Sequence, residues 1–144
     1  MDEMQLRFLT TQALYGKDLQ ERSGAVRQLK QAGLSASDIA AIGVRLEMAL
    51  ECQDEYVRSA AALLLVGLSQ QIPASPNIIA ALLDLSRSPE PFTREAALRA
   101  IARLKERGFG LSPDDMGALT ARLEEARQVE GEGFVLSLFE ETEF

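Results

Sequence analysis

Apolar residues recur at three- and four-residue spacing along nearly the whole chain, which is the pattern of helices with one buried face. No stretch alternates between apolar and polar positions as a half-buried strand would, and glycines and prolines divide the pattern into segments. Prolines stand at three positions that suit the first turn of a helix, where a missing N–H costs nothing. The pattern predicts eight helices, over about residues 3–14, 19–31, 36–51, 55–70, 76–87, 91–107, 113–127 and 134–140.

The second, fourth and sixth of these helices are copies of one unit. Each begins with an acidic residue followed four positions later by an arginine, and the three arginines are 36 residues apart. A period of 36 to about 40 residues with two helices per unit is typical of an α-solenoid, because one hairpin alone cannot bury both of its faces. We expect the acids and arginines to stack between repeats as a structural ladder formed by Asp18, Arg22, Asp54, Arg58, Glu90 and Arg94.

Residues 54–64, which read DEYVRSAAALL, resemble the second helix of a HEAT repeat, which often reads Asp-x-x-Val-Arg-x-x-Ala-x-x-x-Leu. Residues 90–101 are a looser version, and the resemblance covers about residues 3–127. The resemblance implies a right-handed α-solenoid of about four helical hairpins, and HEAT arrays mostly serve as binding scaffolds. The repeats are expected over about residues 3–32, 35–71, 75–108 and 112–128, within an array that spans residues 1–129. We expect an acidic linker and a capping helix after the array, over residues 130–144.

Composition removes several classes of chemistry. The 144 residues include 15 Lys or Arg, 22 Asp or Glu, one Cys, no His and no Trp, for a net charge of −7. Without histidine there is no Ser-His-Asp triad and no His-ligated zinc, and one cysteine forbids an internal disulfide. We find no catalytic constellation and expect neither cofactor nor metal. The acidic balance argues against nucleic acid, and an acidic N-terminus without a long apolar run predicts a cytoplasmic protein with no membrane segment.

The predicted function is non-catalytic binding of another protein on the concave face, which the even-numbered helices would line. One narrower version is an adaptor in a larger assembly, and another is an inhibitor or immunity protein that blocks a toxin. HEAT-like DNA glycosylases and chromophore lyases are the rival of a different class. The basic, Trp-containing concave face of the glycosylases has no counterpart here, and nothing in the sequence matches a chromophore site. The candidate contacts with the partner are the basic residues Arg27, Lys30, Arg99, Arg103 and Arg107.

The C-terminal segment is strongly acidic, with seven Glu and one Arg in residues 124–144. We expect a flexible linker over residues 130–133 and a last helix with one apolar face. That face should dock on the seventh helix, at Leu119 and Leu123, or on a second copy of the chain, giving a monomer or weak homodimer. The alternative is an acidic, apolar peptide that docks on a partner. The docking face comprises Phe134, Val135, Leu138 and Phe139, and the rim expected in solvent comprises Glu140, Glu141 and Glu143.

Overall fold

The computed structural model describes residues 1–140, and this part of the chain contains eight helices and no strand. Every predicted helix is present, with ends within three residues of the expected positions. Short loops join successive helices, so that sequence neighbours form hairpins. The helices are α1 (Glu3–Tyr15), α2 (Leu19–Gln31), α3 (Ala36–Leu50), α4 (Glu55–Leu68), α5 (Pro76–Leu85), α6 (Pro91–Arg107), α7 (Pro113–Glu130) and α8 (Glu132–Leu138).

Short polar side chains determine where most helices begin. Asp18 accepts a hydrogen bond from the Glu21 N–H at the start of α2 (2.8 Å). Ser35 and Asp38 form a reciprocal capping box at the start of α3. These bonds satisfy backbone N–H groups that have no partner within the helix. Glu90 begins α6 without such a bond, and the proline after it removes one of the donors that would need a partner.

The helices stack in two rows. The odd row consists of α1, α3, α5 and α7, and the even row consists of α2, α4, α6 and α8; each helix contacts its neighbours within its row and its partner in the hairpin. A continuous core lies between the rows, because each hairpin covers the apolar face of the next. This arrangement is an α-solenoid.

Helix α4 lies at the centre of the array and is covered on nearly all sides. Every residue of the segment 60–66 is at most 7% exposed. The sequence of this segment is apolar all round, which predicts a helix with neighbours on several faces, and the structure confirms that prediction.

The expected ladder of acids and arginines is wrong in its pairing. Asp18 and Asp54 cap helices instead, because each lies where the first backbone N–H groups need an acceptor. Within residues 1–140, no ion pair joins Asp18, Asp54 or Glu90 to an arginine of that set. Arg22 lies over the ring of Tyr56, 3.5 Å from its centroid.

The other two arginines of the set also lack the expected acids. Arg94 pairs with Glu130 across one repeat at 3.2 Å, and it donates to the Ser88 carbonyl at 3.0 Å. Arg58 is half-buried, and no residue among 1–140 accepts a hydrogen bond from its Nε. Two of the arginines therefore do connect neighbouring repeats, but through an aromatic ring and a distant glutamate.

Arginines of the odd row provide connections that the sequence did not predict. Arg45 of α3 donates to the Arg7 carbonyl (3.2 Å) and to the Thr11 hydroxyl (2.8 Å) of α1. Arg122 of α7 donates to the hydroxyl and carbonyl oxygens of Ser86, at the end of α5, at 2.9 Å each. Each arginine reaches back by 34 to 38 residues, about one repeat. Both arginines begin an Arg-Leu-Glu triplet, at residues 45–47 and 122–124, 77 residues apart, but the sequence does not indicate their partners.

The expected flexible linker before the last helix is also wrong. Helix α7 continues to Glu130, whose carboxylate pairs with Arg94, and α8 begins at Glu132. Only Gly131 separates them, with φ 93° and ψ 162°. This backbone region is essentially restricted to glycine, so a single residue makes the turn that the sequence predicts as a linker over residues 130–133.

Helix α8 packs on both α6 and α7 and closes the C-terminal end of the array. Val135 and Leu138 are buried, and Phe134 and Phe139 are half-buried against the core. Leu119 and Leu123 of α7 are buried as well, together with the rest of the core. Glu140 is exposed. The expectation for Glu141 and Glu143 lies outside the described residues.

Candidate protein-binding surface

The two rows of helices carry opposite net charge. Helices α2, α4, α6 and α8 contain nine Lys or Arg and five Glu, a net charge of +4. Helices α1, α3, α5 and α7 contain four Arg and nine Asp or Glu, a net charge of −5. An acidic protein thus has one basic row, and charge of one sign along one side attracts partners of the opposite sign.

Three of the predicted contact residues lie towards the ends of α2 and α6. Arg27 and Lys30 are exposed on α2. Arg107, in the last turn of α6, is half-buried and pairs with Glu106, with 3.4 Å between Nε and Oε1. Cations in the last turn of a helix complement the negative end of its dipole, so Lys30 and Arg107 also contribute to the helices that carry them.

The other two predicted contact residues lie against α8. Arg99 donates to the Ser137 carbonyl at 3.0 Å and pairs with Glu95 at 3.1 Å. Arg103 is 2% exposed and donates to the Glu140 carbonyl at 2.9 Å. Arg99 therefore adds a donor to a carbonyl that also accepts from the Glu140 N–H (3.2 Å), and Arg103 donates to a carbonyl just beyond the end of α8. They could contact a partner protein only after α8 had left α6.

A second group of charges lies in an open groove between α5, α7 and the loop that precedes α6. Arg87 pairs with Glu125 at 3.2 Å, and Arg94 pairs with Glu130 at the same distance. Burial lowers the pKa of Arg122 in this groove, and Glu125 opposes the shift. The part of the groove beside Arg87, Arg122 and Glu125 has a volume of about 400 Å³, and the adjoining part that Arg94 and Glu130 line has a volume of about 370 Å³. Since its arginines pair with acids of the same groove or with Ser86, this group stabilises the contact between repeats.

Large apolar side chains are exposed on the first and third helices. Met4, Phe8 and Tyr15 form one stripe along α1, and Val44 and Met48 project from α3. The sequence does not single them out, because the helical spacing of α1 fits this stripe as well as it fits the buried one. Exposed apolar side chains that form a continuous area are a common feature of interaction surfaces.

The described residues contain no group of three His, Cys, Asp or Glu side chains that could hold a metal ion. Cys52 is half-buried and free of any disulfide. In the same part of the chain, no helix combines the length and the apolar character needed to cross a membrane.

The comparison with known families agrees with the fold. A family model described as HEAT repeats matches residues 42–131, more than half of the chain. No curated protein and no solved structure matches. HEAT repeats generally act as protein-interaction scaffolds. The matched region, the 36-residue period and the two rows of stacked helices together show that this chain belongs to the HEAT-repeat family.

Proposed function

We propose that this protein is a non-catalytic interaction module whose even row binds an acidic segment of another protein. The observation that carries the proposal is the segregation of charge, with +4 on the even row and −5 on the odd row. Proteins of the HEAT family are typically non-enzymatic, which supports the non-catalytic part. The cytoplasmic location stays a prediction from the sequence.

The charge of the whole molecule favours a protein partner over nucleic acid. A nucleic acid would meet the full −7 of the chain as well as the basic row, whereas a short acidic segment can lie on that row alone. Exposed ion pairs contribute about 0.2–1 kcal/mol each, so several must act together for useful affinity. Complementary charge also raises the association rate and selects against partners of the wrong sign.

Arg27 and Lys30 on α2, with Arg107 on α6, are the contact residues that this proposal retains at the surface of the row. Arg99 and Arg103 belong to the same row, but they already bind the carbonyl end of α8. That contact supports the proposal, because it shows that the basic row can hold an electronegative segment of polypeptide. The partner is then expected to bind nearer to α2 than to α8.

The test compares two charge reversals of equal size. Arg27→Glu changes an exposed residue of the even row, and Arg7→Glu changes an exposed residue of the odd row whose side chain is 77% accessible. We expect affinity capture from the producing cells to recover the same partner with the wild-type and Arg7→Glu chains. Capture by Arg27→Glu should fall by roughly 3- to 30-fold, since the reversal loses one attraction and adds a repulsion.

Two further results distinguish the alternatives. Binding to an acidic partner should weaken as salt is raised, and nuclease treatment should not change it. If Arg27→Glu captures the partner normally while Arg7→Glu loses it, the proposal is wrong. If Arg7→Glu instead strengthens capture while Arg27→Glu leaves it unchanged, the partner is basic and lies on the odd row, which favours the inhibitor or immunity function.

A further inference from the structure

We propose that Arg22 of α2 and Arg58 of α4 each bind one carboxylate of the acidic segment, along the edge of the even row where these helices begin. The inference rests on the proposed binding of an acidic segment to this row, and it names the place where two of its carboxylates lie. Arg94 of α6, the third arginine of the 36-residue period, already holds a carboxylate of this chain.

Arg22 is a buried arginine that has no acceptor among residues 1–140. The residue is 7% exposed, its guanidinium lies over the ring of Tyr56, and its Nε is buried without a hydrogen-bond partner. Its terminal nitrogens are not fully buried, and they form no hydrogen bond or ion pair with those residues. The ring covers one face of the guanidinium and leaves the in-plane donors for an acceptor. A carboxylate is the acceptor whose two oxygens match these donors.

Arg58 occupies the same position one repeat later. It is half-buried, and none of its guanidinium nitrogens bonds to an acceptor among residues 1–140. The acids that precede it on α4 have other partners. Asp54 accepts from the Tyr56 N–H at 2.9 Å, and Glu55 accepts from the Ser88 hydroxyl. The first two arginines of the period therefore present donors that the described part of the fold does not pair.

The third arginine of the period shows which ligand suits this position. Arg94 pairs with Glu130 of α7 at 3.2 Å. Glu130 follows Arg94 by 36 residues, which is one period. One period after Arg22 and one period after Arg58, the chain has another arginine in place of that glutamate. The chain thus supplies a carboxylate to the third position and not to the first two, so the carboxylates for these two must come from another molecule.

Exposed aromatic side chains at the same edge favour a polypeptide ligand over a free anion. Tyr56 is 47% exposed and Phe92 is 50% exposed. They lie 36 residues apart, and each stands two positions before an arginine of the period. Aromatic residues and arginine are enriched where proteins contact one another. A free anion such as phosphate would use the arginines alone, whereas a peptide can cover the rings as well.

The spacing of the even helices specifies the acidic segment. Helices α2 and α4 pack against each other, and packed helices lie about 8–10 Å apart, so Arg22 and Arg58 are separated by about that distance. In a polyproline II conformation, residues three apart lie on the same side of the chain and about 9 Å from each other. A segment with an acidic residue at every third position therefore places one carboxylate on Arg22 and the next on Arg58.

The first measurement is a titration of the isotope-labelled protein, followed through the NMR signals of the arginine Nε–H groups. The probes are two synthetic peptides of the same composition, one with glutamate at every third position between Pro-Ala pairs and one with its glutamates adjacent. The spaced peptide should shift the signals of Arg22 and Arg58. It should also bind at least about threefold more tightly than the other peptide, because it reaches both arginines at once. Unmoved signals or equal affinities overturn the proposal.

The second measurement compares substitutions at the three positions of the period. Arg22→Gln and Arg58→Gln should each weaken binding of the spaced peptide about 3- to 10-fold, since one charged contact is lost. Arg94→Gln is the matched control and should leave this binding unchanged, because Glu130 occupies that position. Equal weakening by all three substitutions overturns the proposal. If Arg22→Gln fails to fold, Arg22→Lys keeps the charge without the planar donors, and binding unchanged by both Arg22→Lys and Arg58→Gln overturns the proposal.

Capture of the cellular partner separates a failure of this site from a failure of the proposed function. If Arg27→Glu loses the partner while Arg22→Gln and Arg58→Gln capture it normally, the segment binds elsewhere on the row and this proposal alone is wrong. If Arg7→Glu loses the partner while the spaced peptide still shifts the signals of Arg22 and Arg58, the carboxylate site stands and the proposed function is wrong.

Discussion

Replacing Arg122 with alanine should destabilise the array more than replacing Arg127, the other arginine of α7. Arg122 is 7% exposed, and its guanidinium donates from Nε to the Ser86 hydroxyl and from one terminal nitrogen to the Ser86 carbonyl, both at 2.9 Å. Ser86 is fully buried at the end of α5. The pair therefore joins α5 to α7 across one repeat, with Ser86 buried and Arg122 largely shielded from solvent.

The expected loss of unfolding free energy is the value of the lost hydrogen bonds minus the desolvation cost of the buried guanidinium. Hydrogen bonds to a charged group contribute about 1.5–3 kcal/mol each, and alanine removes two of them. The lowered pKa of Arg122 has burial as its main cause, which means that the charge is held at a desolvation cost that alanine recovers. We expect a net loss of about 2–4 kcal/mol of unfolding free energy. For a chain of this length, that corresponds to a fall in Tm of roughly 5–15 °C.

The assay is urea and thermal unfolding of Arg122→Ala beside Arg127→Ala. Arg127 lies on the same helix, is exposed and pairs with Glu124, so its replacement should cost no more than about 0.5 kcal/mol. Arg122→Lys should be intermediate, because a lysine keeps the charge but lacks the planar pair of donors. A double-mutant cycle with Ser86→Ala should show a coupling of about 1 kcal/mol.

Equal destabilisation by Arg122→Ala and Arg127→Ala would refute this reasoning. So would a coupling between Arg122 and Ser86 that is indistinguishable from zero. Either result would mean that the desolvation cost of the guanidinium cancels both of its hydrogen bonds.

Two further predictions concern the end and the beginning of the array. Leu138→Ala should cost about 2–4 kcal/mol of unfolding free energy, because the side chain is fully buried, whereas Leu136→Ala on the exposed face of the same helix should be nearly neutral in chemical denaturation. The pKa of Asp38 lies below its usual 3.8, chiefly because the Ser35 N–H donates to the carboxylate. Because the pKa is lower in the folded state, the ionised carboxylate stabilises the fold above about pH 4, and this stabilisation is lost as the pH falls through the folded value. The Tm of Asp38→Asn should therefore fall less with acid below about pH 4 than the Tm of the wild type.

The sequence by itself determined the helices and their order. Local sequence is sufficient to predict the helices, because both signals act within one or two turns. These signals are the helical spacing of apolar residues and the short polar residues or prolines at helix starts. The 36-residue period added the stacking of hairpins, because an amphipathic hairpin needs a neighbour. The burial of α4 could also be predicted, because a helix that is apolar on all sides needs neighbours on several faces.

Only the tertiary structure decided which charges meet. Asp18 and Arg22 are neighbours in sequence, yet one caps a helix and the other lies over Tyr56 in the next repeat. Arg99 and Arg103 form part of a basic stripe in the sequence, but the chain folds α8 against them. Such partners lie about one repeat apart, and long charged side chains reach in directions that spacing alone does not define. The turn at Gly131 was missed for a related reason: a glycine-containing acidic segment is compatible with both a linker and a one-residue hinge, and the burial of Val135 and Leu138 selects the hinge.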